Sequence, residues 1–270
     1  MPELGCSTIS FRQRPVSEAL AVIRELGFDG IDLGGLPGVC DHIPTPLTGP
    51  ADELVDVVRA SGLRTWAINV DPGPLNDPRL GEHDLLDSGR ALVGLAASLD
   101  AAMIVPCGAQ HREPFVDEAT DLDRIARGLR LLGGLAADSG VRLLVEGLHH
   151  YRFCHTAERA EALLDRVPAA SAGFVFDVSH VVAGGFDEVA FAREFAERIE
   201  HVHFRDAEPG DINLSIGRGR ADFAGVVRTL REHGYDGRYV LELETHDVAE
   251  QDRPAEAAAA RADIAALLAG

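Results

Sequence analysis

Four residues of metal-binding type close four successive short apolar runs. They are Glu146 in LLVEG, Asp177 in FVFDVSH, His203 in HVHFRD and Glu242 in YVLELE. A carboxylate set into an apolar run is costly unless it is paired or ligated, so placements at equivalent depth call for a shared counter-charge. Three carboxylates and one imidazole suit a hard or borderline divalent ion. Mn²⁺ is the expected metal, and Mg²⁺, Co²⁺ or Zn²⁺ would also be accepted. Singly, each residue has an ordinary explanation: a glutamate could be a salt-bridged strand end, Asp177 a helix cap, His203 a satisfied core histidine. Jointly, those explanations would have to hold independently on four neighbouring strands.

Neighbouring residues compete for roles in the same site. Glu244 lies two positions beyond Glu242 and so shares its strand face. His201 shares a face with His203, one layer deeper, and reads as core or as a support for the ligand. Arg205, next outward, could neutralise a substrate oxyanion, with a surface salt bridge as the other reading. His149 and His150 follow Glu146 in a loop that could cover the site. The scattered Cys6, Cys40, Cys107 and Cys154 fit neither a zinc knuckle nor a disulfide scaffold, so free thiols are expected. Cys107 reads as core packing, with a pocket-lining position as the alternative.

The elements that would position these residues alternate along the whole chain. Strand-like runs fall near 3–9, 29–33, 63–70, 101–107, 141–147, 172–178, 200–205 and 238–244. Helical segments lie near 16–26, 51–61, 83–98, 119–138, 156–166, 187–198, 221–233 and 249–268. Eight βα pairs close a barrel more naturally than they build an open sheet. The strand-to-helix links at 34–49, 71–82, 108–118 and 206–220 are long, whereas the helix-to-strand links are tight. Barrel enzymes carry their sites on that first set of loops. Gly27-Phe28-Asp29-Gly30 recurs as Gly234-Tyr235-Asp236-Gly237, a weak internal repeat. The expected fold is therefore α/β, a (β/α)₈ barrel forming one domain over 1–270.

Composition narrows the partners. The 270 residues are 46% hydrophobic and carry a formal net charge of −19 without a Lys/Arg run. Nucleic acid, anionic membranes and acidic substrates are disfavoured on that ground. The opening residues do not read as a leader and no apolar stretch reaches membrane-spanning length, so a cytoplasmic location is expected. The expected partner is a small-molecule carbohydrate, and a homo-oligomer remains compatible with the sequence.

Taken with Phe176-Asp177-x-x-His180, His201-x-His203-x-x-Asp206, Gly217-x-Gly219-x-x-Asp222-Phe223 and the Gly-Tyr-Asp-Gly turn leading to Glu242, the chain resembles the xylose-isomerase-like barrel superfamily. That group includes ketose 3-epimerases, hydroxypyruvate isomerases, inosose dehydratases and apurinic endonucleases. The resemblance covers essentially the whole chain, and it is specific for the superfamily rather than for one activity. It implies one divalent ion held by Glu146, Asp177, His203 and Glu242, with His180 contacting substrate oxygen. It also favours Glu242 over Glu244, by distance from the Gly-Tyr-Asp-Gly turn. Two departures put specificity in doubt: Pro209 stands where the epimerases carry an arginine, and Gly147-Leu148-His149-His150 replaces an Asn-rich segment.

The resemblance further implies that Glu146 and Glu242 face the two sides of the carbon whose proton moves. The physical logic is general: a metal acidifies the C–H beside a carbonyl, and flanking carboxylates remove and return the proton through a metal-stabilised enediolate. Glu146, Glu242 and His180 are thus the catalytic candidates, and His180 and Arg205 the substrate-binding ones. The preferred expectation is an isomerase or epimerase of a sugar or related polyhydroxy carbonyl compound. The alternative is a lyase, dehydratase or keto-glycoside-cleaving enzyme using the same metal. An apurinic endonuclease ranks lower, because Pro106 and Asn213 occupy positions where the trinuclear relatives carry histidines. A non-catalytic sugar-binding subunit also ranks low, since no ligand residue is lost. The lack of a glycine-rich phosphate loop leans towards a neutral substrate.

Overall fold

A computed structural model describes residues 3–49 and 51–270. Eight parallel strands close a barrel: β1 (Leu4–Ser7), β2 (Gly30–Gly35), β3 (Arg64–Val70), β4 (Ala102–Pro106), β5 (Leu143–Glu146), β6 (Gly173–Asp177), β7 (Ile199–Phe204) and β10 (Arg238–Leu241). Neighbours follow chain order from β1 to β7, and β10 then closes the ring between β7 and β1. The expected (β/α)₈ barrel is the fold observed.

Alternation along the strands separates two kinds of packing. Two positions before Asn69, Glu146 and Asp177, and therefore on the same faces, lie Ala67, Leu144 and Val175, which with Ile104 form a separate small apolar cluster. It floors the site from within the barrel. On the opposite face of β6, Phe174 and Phe176 stack against Phe191 of α7 (Glu188–Phe195) at ring distances of 6.0 and 5.3 Å.

The outer helices are α1 (Val16–Glu25), α2 (Asp52–Ser61), α3 (Glu82–Ser98), α4 (Glu118–Asp138), α5 (Ala157–Arg166), α7, α8 (Phe223–Glu232) and α9 (Arg253–Ala269). Several start on side-chain caps that satisfy otherwise unpaired N–H groups: Asp117, Thr156, Asp187 and Asp222 accept from the first turns of α4, α5, α7 and α8. The Asp222 cap belongs to a stretch singled out in the sequence.

Three elements differ from expectation. The first strand stops at Ser7, because the Ser7 hydroxyl accepts from the Ile9 N–H and opens a 3₁₀ turn over Thr8–Phe11. The loop after β7 is not irregular but carries an antiparallel ribbon, β8 (Asp206–Glu208) and β9 (Asp211–Leu214). A short helix, α6 (Val178–Ala183), begins directly at Asp177. No helix among the described residues is long and apolar enough to cross a membrane.

Candidate metal centre

Register brings the four strand-end residues together. Asp177 pairs with His203 across β6 and β7, His203 pairs with Val240 of β10, and the Glu242 N–H donates to the Phe204 carbonyl at 3.1 Å. Each of Glu146, Asp177, His203 and Glu242 offers a ligand atom, and these atoms all lie within 4.8 Å of one another. All four residues are buried.

Hydrogen bonding aims them. Asp177 caps α6 with Oδ1, accepting from the Ser179 N–H at 2.8 Å and the Ser179 hydroxyl at 2.6 Å. Its other oxygen, Oδ2, turns towards the Arg205 guanidinium at 2.9 Å. His203 gives Nε2 to Asp32 Oδ2 at 2.9 Å, while its buried Nδ1 has no hydrogen-bond partner and lies 3.5 Å from Glu242 Oε2. Asn69 donates to Glu242 Oε1 at 3.2 Å. An imidazole fixed through one nitrogen by a carboxylate, with the other nitrogen bare among carboxylates, is the arrangement that metal-binding histidines adopt. The residues present therefore fit a divalent cation with oxygen and nitrogen donors.

The charge balance points the same way. Burial, then the nearby Asp177 and Glu242 carboxylates, push Glu146 well above the usual carboxylate range. Glu242 meets the same burial but is held below that range by His203 and Arg205. Burial opposes charge on His203, yet Glu242 and Asp32 hold its pKa well above the usual imidazole value. A group of acids that cannot all ionise without help is one that a cation would complete.

Above these residues lies a cavity of about 280 Å³ lined by Asn69, Glu146, His180, Arg205, Glu242 and Glu244, among others. His180 is buried, with Nε2 3.8 Å from Glu146 Oε1 and 3.7 Å from Asp177 Oδ2. Its Nδ1 accepts from the His150 N–H at 3.2 Å, and His149 Nδ1 accepts likewise from the Tyr151 N–H at 3.2 Å. Backbone N–H groups can only donate, so each neutral ring carries its proton on Nε2, and the 3.5 Å approach of the Arg205 guanidinium to His180 Nε2 is then a charge contact rather than a hydrogen bond. Burial and, for His180, the Arg205 charge keep these rings neutral. Although Glu146, His149 and His180 also converge, two N–H donors make a poor second metal site.

Arg205 lines the cavity but is already engaged. It bonds Asp177, the Ser179 hydroxyl at 3.0 Å and Glu244 Oε2 at 3.1 Å. Glu244 thus sits outside the cluster of four as Arg205's partner, and His201 supports it from beneath, bonding Asp32 Oδ2 at 2.7 Å. Cys107 is fully buried with Sγ 3.7 Å from the Cys154 carbonyl oxygen, away from the cavity lining. Sequence reasoning passed over Asp32, Asn69 and Ser179. Asp32 and Asn69 carried a detectable signal, since each is a polar residue inside an apolar strand.

Closed parallel barrel and strand-end cluster together define a (β/α)₈ protein with a candidate divalent-cation centre at the carboxyl ends of its strands. The chain belongs to the xylose isomerase-like TIM barrel family, which it matches over residues 20–268. Among curated relatives it is similar to inosose dehydratase of Clostridium perfringens, 26% identical over 270 residues, covering 90% of this chain and 85% of that one. Against inosose dehydratase of Clostridium botulinum it is 29% identical over 140 residues, and there the match spans only 46% of the relative and 44% of this chain. Solved structures of similar fold include the IolI protein with a bound zinc atom, with TM-score 0.79, 16% identity and 97% of each chain covered. An L-ribulose 3-epimerase superposes with TM-score 0.77 at 19% identity, covering 99% of this chain and 95% of the other.

Proposed function

We propose that the protein is a metal-dependent isomerase or epimerase of a sugar or related polyhydroxy carbonyl compound. The observation that carries this reading is the pairing of Glu146 and Glu242, two buried carboxylates that line one cavity directly over the bare His203 Nδ1. Glu146, Asp177, His203 and Glu242 would hold one ion, Mn²⁺ by the preference of the donor set, with Zn²⁺ also accommodated. The ion would supply a Lewis acid beside the carbonyl and hydroxyl oxygens. One glutamate then removes the proton from the carbon next to the carbonyl, and the other returns a proton from the opposite side. His180 donates its Nε2–H to a substrate oxygen and so supports the negative charge that builds there. Arg205, held by Asp177 and Glu244, contributes fixed positive charge at the same edge of the cavity.

A second reading is elimination, favoured by the inosose dehydratases among the curated relatives. The same proton removal would be followed by departure of a β-hydroxyl as water. Turnover of keto sugars and an inosose in D₂O separates the two. Isomerisation leaves the mass unchanged apart from one deuterium beside the carbonyl, and elimination shows loss of water. Glu146→Gln and Glu242→Gln should each lower turnover by about 10²–10⁴-fold, the usual range for losing an acid–base group. Full activity in both variants, or product without solvent deuterium, would defeat proton transfer by these residues.

A further inference from the structure

A second cavity, of about 400 Å³, adjoins the first on the same face of the barrel. Gln110 and Arg152 line both. The two also share consecutive stretches of backbone, since Leu36 and Asn69 face the first while Gly35, Pro37 and Val70 face the second.

Its wall is poor in hydrogen-bonding groups. Pro44, Pro46, Pro72 and Pro74 bring no N–H, and Val70 and Leu92 supply apolar side chains. Apart from the exposed Gln110, the polar side chains present already have partners. Ser88 Oγ donates to the Pro72 or Leu85 carbonyl, each at 3.1 Å, and Thr45 Oγ1 to the Ile43 carbonyl at 3.4 Å. Asp71 accepts from the Gly73 N–H at 3.0 Å and from Arg152 at 2.9 Å, which neutralises its charge. At the junction, Arg152 is 3% exposed and is pinned by Asp71 and by the Gly108 carbonyl at 2.7 Å, yet its Nε lacks a partner. A second sugar ring needs many donors and acceptors, and this wall has few to offer.

We propose that the second cavity seats an apolar group of about phenyl size attached to the sugar, so that the substrate is a sugar derivative bearing an apolar substituent rather than a free sugar. The sugar would lie over Glu146 and Glu242, with the exposed Gln110 reaching polar atoms at the linkage and the pinned Arg152 forming the wall between the two cavities. This rests on the sugar reading of the metal cavity.

Three probes test it by calorimetry on Mn²⁺-loaded protein: methyl β-D-glucopyranoside, phenyl β-D-glucopyranoside and methyl β-cellobioside. The phenyl compound should bind about 10-fold tighter than the methyl one or better, as expected for burying an aromatic ring. Leu47→Asp, which charges the wall at a half-buried loop position, and Thr45→Trp, which fills the cavity from an exposed one, should each abolish that advantage while metal content is retained. Equal binding of methyl and phenyl compounds, a phenyl advantage that survives both variants, or tightest binding by the cellobioside overturns the apolar subsite. Binding by none of the three overturns the apolar subsite and leaves the sugar reading to the keto-sugar turnover above, because these glycosides carry no carbonyl group. A crystal soaked with the phenyl glucoside distinguishes the failures. A ring in the second cavity with the sugar away from Glu146 removes the sugar reading alone, whereas the reverse removes the subsite alone.

Discussion

Asp32 organises the candidate centre without belonging to the four proposed ligands. One oxygen, Oδ2, accepts from both His201 and His203, and the side chain is fully buried. Burial opposes its ionisation, but the two imidazoles hold its pKa below the usual carboxylate range. Its hold on His203 Nε2 leaves Nδ1 as the nitrogen that faces Glu242, free to take a cation once its own proton is lost. Asp32→Ala should weaken metal affinity by about 10- to 100-fold, as for other carboxylates behind metal histidines, and titration with Mn²⁺ or Zn²⁺ measures it. Unchanged affinity would remove Asp32 from the site. Metal binding and substrate contact also separate at this scale. Asp177→Ala should lose metal, whereas His180→Ala should keep it, because the His180 Nε2 carries a proton, yet lose about 10²–10⁴-fold in turnover. Elemental analysis of the two variants decides, and an empty site in His180→Ala would make that residue a ligand. Four strand-end residues were legible in the sequence because each interrupts an apolar run. Asp32 stood out only as a polar residue inside an apolar strand; its role was not legible, because that strand gives no hint of histidines 169 and 171 positions away, and only barrel closure brings them together.

At the scale of elements, the eight strands and the outer helices were legible from hydrophobic periodicity, while their ends were set by contacts that periodicity does not report. The ribbon β8–β9 is three and four residues long and rich in Asp and Glu, so its pattern resembles a loop. What orders it is Asp206, whose carboxylate accepts from the N–H groups of Ala207, Gly217 and Ala221. That explains why the Gly217-x-Gly219 stretch accompanies Asp206: a Cβ at Gly219 would lie 2.3 Å from Asp206 Oδ1. Gly147 plays a similar part behind Glu146. A Cβ there would stand 1.9 Å from Phe174 Cε2, so β5 can leave the barrel only by passing close over the β6 aromatic cluster. Phe174 is fully buried and packs on Phe191 and Phe195, so it cannot simply withdraw. Gly147→Ala should therefore cost about 1–3 kcal/mol, the usual penalty for overpacking a core, measured by denaturant unfolding. It should also displace Glu146 enough to weaken metal binding. Wild-type stability in this variant would mean that the close approach is relieved at no cost.

On the scale of the whole molecule, the proposed ligands come from β5, β6 and β7 and from Glu242, the residue just beyond β10, so an ion at their centre would tie half of the barrel wall together. Such an ion binds the folded chain, because the unfolded chain holds the four residues apart. Metal at about 100 times its Kd should then add about 2.7 kcal/mol, or roughly 5 °C in melting temperature for a chain of this size. The increment should depend on pH with a definite sign. In metal-free protein the pKa values of Glu146 and His203 stand well above their ordinary 4.5 and 6.5. A raised folded-state pKa gives stability that is present below the unfolded value and is lost as pH rises through the folded one. Asp32 and Glu242 are shifted the other way, and their contribution is lost only as pH falls below the ordinary carboxylate range. As pH rises above the ordinary values of Glu146 and His203, chelated protein should therefore melt progressively lower as these two residues are forced to give up protons. Metal-loaded protein should change less, because the cation replaces those protons and binds better as they leave. The gap between the two melting curves should widen with pH, and scanning calorimetry with and without chelator across that range measures it. A gap that is constant or narrows as pH rises would mean that protons and metal do not compete for the same four residues, and the assignment of Glu146 and His203 as ligands would fall.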